Sequence, residues 1–168
     1  IPHKNTAFHA MDFLTEAASS LGAVNTIIYE NGKLKGDNTD LQGFLDSLQT
    51  FGKFDPVGTN AVVLGAGGAA RAVVHALATC QPESVLVANR TLHRAQALAT
   101  SVTEIRGTTI QASTLDTDQL EAQLSKSTLL VNTTSVGMAG GPEPDKSPVT
   151  DADLAVDEPV SYTHLRAH

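Results

Sequence analysis

Residues 60–71 read NAVVLGAGGAAR, an apolar strand that runs through a glycine turn directly into a helix. No other stretch of the chain narrows its fold as far. Gly65 permits the tight turn, Gly67 lets backbone N–H groups approach a pyrophosphate, and Ala70 lets the helix lie close on the sheet. The next apolar run, SVLVA, closes on Asn89-Arg90-Thr91, so the segment forms a strand–turn–helix–strand nucleotide-binding unit. Phosphates at such a site sit at the helix N-terminus, where unpaired N–H groups and the helix dipole favour negative charge.

The end of the second strand points to the cofactor. NAD sites usually place a carboxylate about 20 residues after the turn to accept the ribose hydroxyls. Here Asn89 stands 24 positions after Gly65. Arg90, Thr91 and Arg94 supply charge-assisted donors suited to a dianionic 2′-phosphate, so the expected cofactor is NADP. Taken singly, the glycine turn also reads as plain backbone packing, and either arginine as a solvated helix start.

Downstream, the patterning predicts strand 60–64, helix 68–80, strand 84–89, helix 92–101, a short strand near 108–111, helix 116–124 and strand 128–132. This alternation implies an α/β fold with a doubly wound parallel sheet of the Rossmann type. Such sheets bind ligands beyond the carboxyl ends of their strands, where Gly65, Asn89 and Asn132 emerge. Met138 to Pro148, rich in proline and glycine, reads as a surface loop. Upstream, a thin helical period covers 5–20, Ala23–Glu30 and Lys33–Gly36 flank an Asn31-Gly32 hairpin turn, and a helix over 41–48 is capped by Thr39 or Asp40. Gly52, Pro56 and Gly58 mark a boundary, giving a smaller lobe over 1–52 and a nucleotide-binding lobe over 53–160.

With 168 residues, the chain has room for one good core and a small appended lobe. Its formal charge of −7 disfavours nucleic acid as a partner, and no apolar run approaches a membrane span. Cys80, the one cysteine, excludes an internal disulfide and fits a cytoplasmic setting. His3 and His9 lack metal-ligand spacing, so no metal site is expected. The opening at Ile1 and the closing VSYTHLRAH suggest an internal fragment whose residues 160–168 are a foreign tail. Leu154 to Val156 would begin a further strand.

Lys4, Asn25, Asn38 and Asp40 lie near strand ends or loop starts, which invites a catalytic reading. Ketone reduction needs hydride delivered to carbon and a proton for the developing alkoxide, a task that suits a lysine positioned by a carboxylate. Lys4 and Asp40 would form that pair. Individually, Lys4 also reads as a solvated surface lysine, Asp40 as a helix cap, and the asparagines as turn residues.

In order along the chain, IPHK at 1–4, GAVNT at 22–26, GDNTD at 36–40, GAGGAAR at 65–71, NRT at 89–91 and NTTSVGM at 132–138 resemble the hallmarks of the shikimate dehydrogenase family. The resemblance covers residues 1 to about 150. It implies reversible NADPH-dependent reduction of 3-dehydroshikimate to shikimate, on the route to aromatic amino acids. By the same resemblance Lys4 and Asp40 match the catalytic pair, and Asn25, with them, binds substrate. Gly65, Ala66, Gly67, Gly68 and Ala69 match the phosphate turn, and Asn89, Arg90, Thr91 and Arg94 the adenosine-phosphate clamp. Thr133, Ser135 and Met138 belong to a segment resembling the loop beside the nicotinamide. The family's serine-bearing loop for the substrate carboxylate has no counterpart here, so the first lobe is only part of a substrate domain. A quinate/shikimate branch that also accepts NAD, a non-catalytic nucleotide-binding module and a methyltransferase are the competing readings. A homodimer stays open.

Overall fold

The structure, a computed structural model, describes residues 3–116, 118–137, 146, 148–149 and 161–164. The chain opens with α1 (Lys4–His9), β1 (Phe13–Leu14) and α2 (Glu16–Leu21). Sequence periodicity suggested a single helix over 5–20, and the structure corrects this. The backbone of Asp12 pairs with the Leu34 carbonyl, and its Oδ2 accepts the Leu34 N–H at 2.7 Å, which draws the chain out of helical conformation. Thr15, extended at φ −69 and ψ 163, then restarts the helix by accepting the Ala18 N–H.

The hairpin follows as expected: β2 (Thr26–Glu30) and β3 (Lys33–Asp37) pair antiparallel, with Asn31 and Gly32 at φ 52 and 77 as a tight turn of this hand requires. β1 adds to β3 in parallel, giving a three-stranded sheet of order β1-β3-β2. α3 (Asp40–Thr50) leads out of it. Neither Thr39 nor Asp40 caps that helix through its side chain. The acceptor is Asn38 Oδ1, 3.0 Å from the Asp40 N–H, because Thr39 turns its hydroxyl to Asn25 instead.

Beyond the linker come β4 (Asn60–Leu64), α4 (Gly68–Thr79), β5 (Ser84–Ala88), α5 (Leu92–Arg106), β6 (Ile110–Ser113), α6 (Asp118–Leu124), β7 (Leu129–Asn132) and β8 (Ser161–His164). Their sheet has the order β6-β5-β4-β7-β8, with every pairing parallel. The middle strands are buried on both faces, as parallel sheets covered by helices must be. Ala61, Val63, Val85, Val87, Leu129 and Val131 face α3, α4 and α5, whereas Val62, Leu64, Leu86, Ala88 and Leu130 face α6. Each such valine or leucine contributes about 1.5–3 kcal/mol by leaving water. α5 outruns its expected end at 101, because buried Val102 continues the apolar stripe of Ala95, Leu98 and Ala99. Gly107, at φ 72, stops it.

Ser161–His164, within the segment expected to be a foreign tail, runs parallel to β7 in register Leu129 with Ser161. Leu154–Val156 and most of the loop from Met138 to Pro148 lie outside the described residues.

Candidate active site

Lys4, Asn25 and Asp40 meet at the mouth of the hairpin. The Val24 N–H donates to the Lys4 carbonyl at 3.0 Å, fastening the start of α1 against the segment that carries Asn25. The Asn25 N–H in turn donates to the Asp37 carbonyl at 3.0 Å. Lys4 Nζ then reaches Asp40 Oδ2 at 2.7 Å, and Asn25 Nδ2 reaches the other carboxylate oxygen, Oδ1, at 2.8 Å. Both oxygens of Asp40 are therefore engaged. The carboxylate lies in the first turn of α3, where the helix dipole favours a negative charge. The two charged side chains keep 26% and 36% of their surface exposed, so the pair is open to a small molecule and by itself adds at most about 1 kcal/mol to stability. Chemically, an ammonium oriented by a carboxylate and flanked by a carboxamide can bind hydroxyl or carbonyl oxygen and exchange a proton with it.

The glycine turn forms the second part. Gly65 has φ 108, and its N–H donates to the Ala88 carbonyl at 2.8 Å, joining the end of β4 to that of β5. A Cβ on Gly65 would stand 2.5 Å from Thr133 Oγ1. That hydroxyl donates to the Leu64 carbonyl at 2.6 Å, so the loop after β7 packs directly on the turn. Gly67 caps α4 in extended conformation with no side-chain bond, and a Cβ on Gly67 or Gly68 would meet nothing within 4 Å. Backbone N–H groups at a helix start, bare of side chains and of acidic residues, favour an anion. Ala66 and Ala69 are half-buried beside them, and Ala70 is fully buried against the sheet.

At the end of β5, Asn89 donates from Nδ2 to the Thr91 carbonyl at 2.9 Å and so shapes the turn into α5. Arg90 and Arg94 are exposed, Thr91 is half-buried, and among the described residues neither guanidinium forms an ion pair. Asn132 is buried rather than open to the crevice. Its Oδ1 accepts from the Thr134 N–H and hydroxyl, and its Nδ2 donates to the Val136 carbonyl, folding the turn that carries half-buried Thr133 and exposed Ser135. Met138 lies outside the described residues. No group of three or more His, Cys, Asp or Glu among the described residues could hold a metal.

Sequence reasoning missed two further groups. Arg106, at the end of α5, donates to Glu16 Oε1 at 3.0 Å and Ser20 Oγ at 3.3 Å, tying the helix layer of the five-stranded sheet to α2. His75 of α4 is wholly buried with neither ring nitrogen partnered among the described residues, and its pKa is lowered to about 4 by burial, with Arg106 and Arg71 adding to the effect. A histidine inside VVHALA was the one sign of the latter, and nothing local marked Arg106.

The family model for shikimate / quinate 5-dehydrogenase matches residues 49–139. The shikimate dehydrogenase (NADP(+)) of Methanopyrus kandleri is 45% identical over 91% of this chain and 52% of its own length. Among solved structures, shikimate 5-dehydrogenase from Listeria monocytogenes, in complex with shikimate and NAD, is similar at a TM-score of 0.87 and 27% identity, over 98% of this chain and 57% of that one. The Thermus thermophilus enzyme, in complex with NADP(H) and shikimate, gives a TM-score of 0.78 at 37% identity, over 98% of this chain and 55% of that one. The chain spans about half the length of the curated relatives it matches.

Proposed function

This chain belongs to the shikimate / quinate 5-dehydrogenase family, and from that premise we propose that the protein carrying it reversibly reduces 3-dehydroshikimate to shikimate with NADPH, in the cytoplasm. The observation that carries the reading is the 2.7 Å contact of Lys4 Nζ with Asp40 Oδ2, made beside Asn25. Residues 1–52 act as part of the substrate lobe and 53–160 as the nucleotide lobe.

The residues present fit NADP. The open space over Gly67 and Gly68 leaves backbone N–H groups free for a pyrophosphate. Asn89, Arg90, Thr91 and Arg94 offer amide, hydroxyl and guanidinium donors that would hold a 2′-phosphate, with no carboxylate among them to repel it, while Thr133 and Ser135, in the loop packed on the glycine turn, would help hold the nicotinamide portion. When bound, NADPH supplies the hydride. Lys4 holds the proton at Nζ and passes it to the substrate oxygen as negative charge develops there, taking it back in the oxidation direction. Asp40 keeps that ammonium in place and stabilises its charge, and Asn25 Nδ2 holds a substrate hydroxyl together with the carboxylate.

Replacing Lys4 with Ala in the protein carrying this chain tests the assignment. Turnover should fall by about 100-fold or more, with NADP affinity intact. Unchanged turnover removes Lys4 from the mechanism.

A further inference from the structure

We infer that Asn38 is a positioning residue that sets Asp40 against Lys4 and Asn25, an inference that rests on the function proposed above for those three. Asn38 is 4% exposed and its side chain bridges two segments that are far apart in sequence. Oδ1 accepts the Asp40 N–H at 3.0 Å, and Nδ2 donates to the Ala23 carbonyl at 3.0 Å. Its own N–H donates to Asp37 Oδ1 at 2.7 Å, and that same oxygen accepts the Thr15 hydroxyl at 2.6 Å. One carboxamide thus clamps the first turn of α3, which carries Asp40, to the chain immediately before Val24 and Asn25. Lys4 is held to that same stretch through the Val24 N–H.

Removing the clamp leaves all three functional side chains in place chemically but frees the start of α3 to move relative to them. Proton transfer and substrate orientation depend on sub-ångström placement, whereas the hydrogen bonds of Asn38 run to Ala23, Asn25, Asp37 and Asp40 and none among the described residues reaches the glycine turn or the end of β5. Loss of Asn38 should therefore be felt in the chemistry and not in cofactor binding. A serine at 38 restores part of the clamp, because its hydroxyl can take the N–H two residues on, as side chains in such turns do. It cannot reach Ala23.

The test compares Asn38→Ala and Asn38→Ser with the unmutated protein in NADPH-dependent turnover of 3-dehydroshikimate, in NADP affinity by titration, and in hydrogen exchange of the Asp40 amide. Asn38→Ala should lower kcat by about 10- to 100-fold, leave NADP affinity within about 2-fold, and speed exchange at Asp40. Asn38→Ser should recover part of both losses. Should Asn38→Ala not fold, Asn38→Ser, which keeps the acceptor for the Asp40 N–H and loses the donor to Ala23, carries the test by itself: a loss of kcat smaller than that named for alanine, about 3- to 10-fold, is expected with NADP affinity intact, and an unchanged kcat overturns the inference. An unchanged kcat, a loss of NADP affinity parallel to kcat, or a serine variant no better than alanine overturns the inference. If the unmutated protein does not turn over 3-dehydroshikimate, the proposed function has failed on its own account. Exchange at Asp40 then decides the role of Asn38: faster exchange in Asn38→Ala upholds the clamp, and unchanged exchange overturns it.

Discussion

Two glycines, two residues apart, should fail in opposite ways when replaced by alanine. At Gly65 the backbone has φ 108, where an L side chain is strained, and the new methyl would stand 2.5 Å from Thr133 Oγ1. Something must move, and the neighbour available is a hydroxyl bonded at 2.6 Å to the Leu64 carbonyl. Backbone strain of about 1–3 kcal/mol and loss of a hydrogen bond worth about 0.5–1.5 kcal/mol add to a destabilisation of about 2–4 kcal/mol. In urea, with a slope of about 1–3 kcal/mol per molar for a protein of this size, the unfolding midpoint should fall by about 1–2 M. At Gly67, φ is an ordinary −92 and a Cβ meets nothing within 4 Å, so stability should stay within about 0.5 kcal/mol of the unmutated protein. The methyl would instead occupy the space left for phosphates. NADP affinity, read by titration calorimetry, should drop by about 10-fold or more. Gly65→Ala unfolding at the original midpoint refutes the packing of the β7 loop on the turn. Gly67→Ala binding NADP unchanged refutes the turn as the phosphate cradle.

Replacing Arg90 and Arg94 together with alanine should weaken NADP by about 10- to 100-fold, the worth of one or two charge-assisted hydrogen bonds, and leave NAD within about 3-fold. Equal losses for both dinucleotides in parallel titrations would place the arginines elsewhere than on the 2′-phosphate. His75, lowered from 6.5 to about 4 by burial first and by Arg106 and Arg71 after it, stays neutral in the folded chain where the unfolded chain takes up a proton. Its contribution to stability is therefore full above pH 6.5 and is lost as pH falls from there toward 4, by up to about 3 kcal/mol. Glu16 faces the same seam, ion-paired with Arg106 at 3.0 Å. Urea midpoints for His75→Leu should stay flatter between pH 7 and 4.5 than those of the unmutated chain; parallel slopes would remove His75 from the acid limb.

The half built on the five-stranded parallel sheet was legible because its determinants are local. Alternation of Val62 and Leu64 against Ala61 and Val63 marks a strand buried on both sides, and a glycine where φ must be positive marks the turn. Asn31-Gly32 announced the hairpin for the same reason. The helix expected over 5–20 failed because its interruption is made from outside: Asp12 finds its partner at Leu34. Lys4 and Asp40 were candidates by residue type and by the order of the motifs, since nothing in a 36-residue separation says that Nζ and Oδ2 will touch. Arg106 and Glu16, 90 residues apart, carried no signal at all. Asn38 shows where the boundary lies. In Asp37-Asn38-Thr39-Asp40 every residue is a competent helix cap, and local chemistry alone favours the threonine or the last aspartate as strongly as the asparagine. What selects Asn38 is the Ala23 carbonyl, brought alongside by the hairpin and taking its donor from the Asn38 carboxamide. With Asn38 committed there, its other end takes the Asp40 amide, and the Asp40 carboxylate is released from capping to hold Lys4.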